Sequence, residues 1–312
     1  MSSTAQPDPA APAAGTPTTH ASVRYRVRHS SAYRYGREIM LAHHLLHLTP
    51  RIAEGQRILG FRMEVEPKPS VIAEHHDFFG NPMTYIEMHE PHMRLVVRTD
   101  IDVEVDEDRL DVAAMDTPWE ALRDQLNDPI EAGARAASAF AYVSPMVVPS
   151  ADLHDYALPS FTPGRPIGAA VLDLTKRIND EFTFDPEATT IATPVAEVLA
   201  ERRGVCQDFA HLQTGCLRSI GLAARYVSGY LRTVPAPGKP RAVGADVSHA
   251  WLSVWCGGDL WLDMDPTNGR PGSADLITLA WGRDYGDVSP LQGVIIGSSI
   301  QHMTVEVDVD NS

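Results

Sequence analysis

RRGVCQDFAHLQTGCLRSIGLAARYVSGYL, residues 202–231, holds the passage from helix to sheet on which the fold rests. After Cys206 the apolar side chains Phe209, Leu212, Cys216, Leu217 and Ile220 recur at helical spacing and share one face. Gly221 follows as a natural C-cap, since glycine takes a left-handed backbone without a Cβ penalty. ARYVSGYL (224–231) then has the composition of a strand, and two more strand patterns come after it, SHAWLSVWC at 248–256 and LWLDMDP at 260–266. Working upstream, TPVAEVLAERRG (193–204) reads as a helix with Thr193 as N-cap, Pro194 at the first helical position and Glu197 near capping-box reach. IGAAVLDLTKRINDEF (167–182) carries a helical stripe of Ala170, Val171, Leu174 and Ile178. Helices followed by strands make residues 167–312 an α+β core.

The first part of the chain has a different period. VRYRVRHSSAYRY (23–35) alternates in polarity and is rich in β-branched and aromatic residues. FRMEVEPKP (61–69) puts Phe61, Met63 and Val65 on one face. MRLVVRTDIDVEV (93–105) does the same with Leu95, Val97, Thr99, Ile101, Val103 and Val105. Period-two alternation gives half-buried strands, so residues 23–110 form an antiparallel β domain, with a Gly80-Asn81 turn between strands. Residues 111–166 read as a helical connection and linker. DTPWEALRDQL (116–126) is a helix with Asp116 as N-cap and Pro118 in its first turn, and DPIEAGARAASAFAY (128–142) is Ala-rich and helical. PSADLHDYALPSFTPGRP (149–166) is broken by prolines into a linker.

Residues 1–22, rich in Ala, Pro, Ser and Thr, read as a disordered tail with neither the basic start nor the apolar stretch of a signal peptide. No apolar run reaches the roughly 18 residues of a membrane span. The 26 basic and 41 acidic residues give a net charge of −15, which repels phosphate backbones and anionic lipid surfaces. Neither nucleic acid nor membrane is therefore expected as a partner. Three cysteines in 312 residues do not form a disulfide framework, which fits a reducing, cytoplasmic setting.

Cys206 stands apart from the other two cysteines. It opens a helix between Gly204 and polar residues, where free N–H groups and the helix dipole favour a thiolate. Cys216 and Cys256 sit among apolar neighbours and read as buried structural residues. A nucleophilic thiolate needs a base, and the base needs an orienting group. His249 heads a strand and shares a face with Trp251, Ser253 and Trp255. The next strand offers Asp265 and, two residues earlier on the same face, Asp263. Spacing does not choose between them.

These segments together resemble the transglutaminase-like superfamily of bacteria. The core motifs are RRGVCQDFAHLQTGCLRSIGLAARYVSGYL, SHAWLSVW and WLDMDPTNG, with GRDYGDVSPLQGV (282–294) as the tail. HSSAYRYGREIMLAHHLLHLTPR (29–51) and DFFGNPM (77–83) are similar to the β-rich N-terminal region that precedes this core in bacterial members. The resemblance implies a papain-like arrangement of helices on an antiparallel sheet. It implies Cys206 as nucleophile, His249 as base and Asp265 as its orienter. The activity it implies is acyl transfer on the amide bonds of a protein or peptide substrate, by hydrolysis or by transamidation. Animal transglutaminases also use a tryptophan upstream of the cysteine for the oxyanion, but no Trp lies between Trp119 and Cys206 here. The backbone N–H of Cys206 is one candidate donor. No acidic calcium loop is visible, so neither calcium nor another cofactor is implied.

Gln207, Asp208 and Trp251 are the neighbours read as lining or shaping the site, Trp251 because it shares the face of His249. His211 fits packing. His43, His44 and His47 in HHLLH have the i, i+4 spacing of zinc ligands only on a helix. The segment alternates like a strand and has His44 where a metalloprotease has its Glu, so no metal is assigned. The Pro/Gly-rich stretch between the strands of Tyr230 and His249 reads as a lid or a plain hairpin. Two other readings remain: a different Cys-His-Asp acyltransferase, of the arylamine N-acetyltransferase kind, and a non-catalytic peptide-binding module on the same fold.

Overall fold

The computed structural model describes residues 21–107, 111–233, 247–297 and 301–312. Residues 1–20 of the expected N-terminal tail and most of the Pro/Gly-rich loop lie outside the described residues, and Ser22 at the end of that tail opens the first strand. Six strands come first: β1 (Ser22–Ile39), β2 (Leu41–Leu46), β3 (Gln56–Glu66), β4 (Val71–His76), β5 (Pro82–Met88) and β6 (His92–Asp106). Helices α1 (Trp119–Asn127), α2 (Ala132–Ser138), α3 (Ala151–Ala157) and α4 (Ile167–Glu181) follow. Next are β7 (Thr183–Phe184), α5 (Val195–Glu201), β8 (Arg203–Gly204) and α6 (Cys206–Ser219). The chain continues as β9 (Ala224–Leu231), β10 (Val247–Trp255), β11 (Trp261–Asp265), β12 (Arg270–Pro271) and β13 (Leu276–Gly282). It ends with α7 (Tyr285–Val288), β14 (Leu291–Ile296) and β15 (Gln301–Asn311). The fold is α+β, as the two periodicities require.

The N-terminal strands form two packed antiparallel sheets, ordered β15-β1-β6-β3 and β14-β2-β5-β4. Their shared core includes Tyr33, Tyr35, Ile39, Leu46, Ile86, Met88, Leu95 and Val97. Each such side chain contributes roughly 1.5–3 kcal/mol when taken out of water. The sheets do not respect the expected boundary of the core at residue 167. Strand β15 pairs with β1, Tyr25 opposite Asn311, and β14 pairs with β2, Leu46 opposite Leu291. The last strands of the chain therefore complete the N-terminal sandwich. Local sequence carries no mark of this, because the partners lie at opposite ends of the chain.

The core is a third antiparallel sheet, β12-β11-β10-β9-β13, with α6 against β9 and β10, α3, α4 and α5 packed on α6, and α4 also touching β11 and β12. Helix α6 is enclosed all round. Asp208 to Leu212, Gln213, Thr214 and Arg218 are buried along with its apolar stripe. Arg218 is satisfied by the carbonyls of Phe140, Ala224 and Arg283 and by Ser144 Oγ.

Three local readings change. The stretch 149–166 contains α3, capped by Ser150 Oγ accepting from Leu153 N at 3.3 Å, and its Leu153, Tyr156 and Ala157 are buried. Its prolines flank the helix rather than break it. Pro118 and Pro194, expected inside their helices, occupy the cap positions in place of Asp116 and Thr193. For α1 the acceptor is non-local, with Trp119 N donating to Arg165 O at 3.2 Å. Thr193 Oγ1 instead accepts from Thr190 N at 2.9 Å in the preceding turn.

The sandwich docks on the core sheet at its open edge. Gln56 Nε2 donates to Thr278 O and Gln56 Oε1 accepts from Thr278 N, both at 2.8 Å. Asn81 does the same for Trp281, with Nδ2 to O at 2.8 Å and N to Oδ1 at 3.0 Å. Two side-chain amides thus pair the groups that edge strand β13 would otherwise leave open. Arg51 lies 3.1 Å over the Trp281 ring and bonds Asn81 Oδ1.

Candidate active site

Cys206 is the first residue of α6 and half-buried, at the helix end where N–H groups lack intrahelical acceptors. Asp208, two residues on, turns back. Its Oδ2 accepts from Val205 N at 2.8 Å and from Thr189 Oγ1 at 2.6 Å, which fixes the turn that delivers the thiol. Burial raises the Asp208 carboxyl despite these two bonds. Asp208 itself is buried and is not part of the cleft wall. Gln207 does line the cleft, its Nε2 donating to Ile191 O at 3.3 Å.

His249 enters from β10. The register places Gly229 of β9 beside it, where a Cβ would come within 2.5 Å of the Trp251 ring. Trp251, expected in the groove, is fully buried and is not part of the cleft wall. It stacks on His249 instead, centroids 6.2 Å apart and planes 26° apart, and sets the ring from below. Period-two spacing puts both residues on one face, but only His249 lies near enough to the sheet end to reach the opening.

Asp265 ends β11 and is fully buried. Its Oδ2 accepts from His249 Nε2 at 2.9 Å and from Asn268 Nδ2 at 2.6 Å, and its Oδ1 from the backbone N–H groups of Thr267 and Asn268. Asp263 bonds Ser253 Oγ. The structure therefore brings Asp265 to the histidine and sends Asp263 elsewhere. With Nε2 taken by Asp265, Nδ1 is the ring nitrogen left over, and Cys206 acts on the same imidazole by side-chain hydrogen bonding and charge. Burial works against a charged imidazole here. The hydrogen bonds and charges of Asp265 and Cys206 outweigh it and push the His249 pKa up to about 10. Burial alone would raise Asp265, but its bonds with His249 and Asn268 hold it below the ordinary carboxylate range. Cys216 and Cys256 are buried, and burial pushes each thiol up to about 12.

Cys206 and His249 open into a cleft of about 980 Å³ between the core and the sandwich. Tyr226 of β9 and Tyr285 of α7 line it, and Cys206 and Tyr285 both pack against the buried cluster that holds Tyr226. Burial above all, and then the charge of Cys206, keeps the Tyr226 phenol protonated. His211 packs behind Tyr226, centroids 4.8 Å apart, and its Nε2 accepts from Tyr285 N at 3.0 Å. Sequence reading missed Tyr226, Tyr285 and Asn268. A tyrosine in ARYVSGYL is ordinary strand composition, and only Asn268, three residues after the aspartate, carried a local cue as an Asx-type partner. HHLLH runs as strand β2 to Leu46, with His47 just past its end, so the helical i, i+4 pairing of His43 and His47 does not arise.

Comparison with known proteins bears on this geometry. The bacterial transglutaminase-like N-terminal region matches residues 25–104, and the transglutaminase-like superfamily matches residues 161–266. The chain belongs to the transglutaminase-like superfamily. Cysteine-based acyl transfer is common in that superfamily. An uncharacterized protein of Mycobacterium tuberculosis is 40% identical over 295 residues, 92% of each chain. The Pseudomonas aeruginosa protein-glutamine gamma-glutamyltransferase is 36% identical over 104 residues, 32% of this chain and 15% of that one. A crystal structure of a candidate cysteine protease from Cytophaga hutchinsonii superposes with a TM-score of 0.73 at 20% identity, covering 94% of this chain and 92% of that one. At that identity the likeness establishes the fold. Among the described residues, no helix is long and apolar enough to cross a membrane.

Proposed function

We propose that the protein is a cysteine-nucleophile enzyme that transfers the acyl group of a protein or peptide amide through a thioacyl intermediate. The observation that carries this is His249 held by Asp265 at 2.9 Å and raised further by Cys206, whose sulfur lies in the wall of the same cleft. A raised imidazole pKa favours imidazolium at neutral pH, which stabilises a thiolate beside it. The thiolate attacks the carbonyl carbon and the π pair moves to oxygen. The backbone N–H of Cys206 and the Tyr226 O–H are the donors for that oxyanion, with tyrosine in the place of the tryptophan of animal enzymes. Collapse expels the amine, which takes the proton from His249 Nδ1. Asp265 holds the ring in the tautomer this needs. Water or a primary amine then attacks the thioester and passes its proton to His249.

Water is the default acceptor in a cleft open to solvent, so hydrolysis as a peptidase or amidase is the primary reading. Transamidation is the second, favoured by the similarity to the Pseudomonas gamma-glutamyltransferase. Free thiols at all three cysteines suit a reducing, cytoplasmic compartment. The test uses casein with and without monodansylcadaverine. Wild type releases ammonia or new amino termini, or incorporates the amine, and Cys206→Ala does none of these. Iodoacetamide labels Cys206 far faster than Cys216 or Cys256. Equal, slow labelling of all three, with no turnover, would leave a non-catalytic binding module.

A further inference from the structure

The wall of the cleft is notable for its charge. Charged residues make up 21% of the chain, yet the described lining residues include no Lys, Arg, Asp or Glu. The inward face of β1 gives the reason. Tyr25 and Val27 pack with the core sheet, Tyr33 and Tyr35 pack inside the sandwich, and His29 and Ser31 fall at the seam between. That pair is self-satisfied, His29 Nε2 to Ser31 Oγ at 2.7 Å, with Tyr230 Oη at 3.1 Å from His29 Nδ1.

His44 of β2 is not satisfied. It lines the same cleft and is only 3% exposed, and neither ring nitrogen has a hydrogen-bond partner. Burial, reinforced by His92 and His43, pushes its pKa down to about 4. At pH 7 it is a neutral imidazole with one N–H donor and one bare acceptor, and a buried polar atom left unpaired is costly. In the wall of the same cleft, Met303 and Val305 of β15 show 56% and 42% of their surface although both are apolar. A wall of apolar, aromatic and uncharged polar side chains, with His44 as a buried donor–acceptor left unpaired, matches a neutral amide flanked by apolar groups. A charged side chain entering it would lose hydration with no counter-charge to meet it.

We propose that this seam is a substrate subsite that takes the uncharged, apolar or aromatic flank of the acyl-donor peptide, with His44 bonding a peptide amide. The inference rests on the reading that Cys206 attacks a carbonyl in this cleft. The sandwich is then part of the binding site, and it selects against acidic and basic donors.

The test measures binding to full-length Cys206→Ala, which needs no chemistry. The probes are fluorescently labelled Ac-Phe-Gln-Phe-NH2, Ac-Asp-Gln-Asp-NH2 and Ac-Lys-Gln-Lys-NH2. The expected result is that the phenylalanine peptide binds at least about tenfold more tightly than either charged one. Adding His44→Ala weakens it about tenfold, and His44→Gln, which keeps a donor and an acceptor, restores most of the loss. Equal binding of the three peptides, no binding of any, or a His44→Ala affinity unchanged from that of the parent overturns the subsite. The expected binding pattern in a wild type that turns over none of the peptides would sink the nucleophile and leave the subsite standing.

Discussion

At Tyr226 a phenylalanine fills the same space and removes a single O–H. Tyr226 belongs to the buried cluster against which Cys206 packs, and its hydroxyl keeps its proton, so Tyr226→Phe tests the oxyanion contact. Acylation by p-nitrophenyl acetate is expected to slow by about 10²–10³-fold, read as the p-nitrophenolate burst. Alkylation by iodoacetamide is a displacement at saturated carbon and forms no oxyanion, so it should hold its rate. An equal fall in both rates would make the tyrosine a support for the thiol instead. The same scale shows why one carboxylate serves and its neighbour does not. Asp265 and Asp263 share a face and differ by one strand repeat. Only Asp265 meets a ring nitrogen, a side-chain amide and two backbone N–H groups.

Between elements, the docking of the sandwich on the core turns on Gln56 and Asn81, which complete the edge of β13. Asn81 is fully buried, so Asn81→Ala leaves the N–H and C=O of Trp281 without partners. The expected cost is about 1–3 kcal/mol per group stranded. Scanning calorimetry should show it as a Tm lower by about 2–4 °C for each kcal/mol. An unchanged Tm would mean that water replaces the amide. DFFGNP was legible as a turn but not as a clasp, because the edge it pairs is 200 residues away. Helix α3 was missed for the opposite reason. Its prolines were conspicuous, while the cap at Ser150 and the buried Leu153 and Tyr156 acquire their meaning only against α6.

For the molecule as a whole, buried histidines govern the response to acid. Burial above all pushes His29, His44 and His211 down to about 4 from an ordinary value of 6.5. Their folded pKa values lie below the unfolded ones, so the unfolded chain binds more protons between those limits. The stability they confer is whole above pH 6.5 and is lost as pH falls towards 4. At pH 5 the loss is on the order of 1–2 kcal/mol per histidine. His249 runs the other way, since its folded value is raised. Its contribution is complete below pH 6.5 and fades as pH rises towards about 10. Urea unfolding at pH 7 and pH 5 checks the acid arm. Equal midpoints and slopes would show that the buried histidines do not titrate with folding.

The amino-acid sequence by itself determined the two periodicities, the helix that opens at Cys206, the strand that carries His249 and the order of the motifs. Each of these is fixed by neighbours within a few residues, through side-chain spacing and caps. Strand spacing left Asp263 and Asp265 equal and only the resemblance to the superfamily pointed to Asp265; the tertiary structure brings it to the imidazole and alone decided that Trp251 backs the ring rather than lining the groove. It alone decided that the last strands close the first sheets and that His44 faces the cleft unpaired. Those outcomes depend on which distant strand becomes a neighbour and on how far burial strips water from a polar group, and no local pattern encodes either.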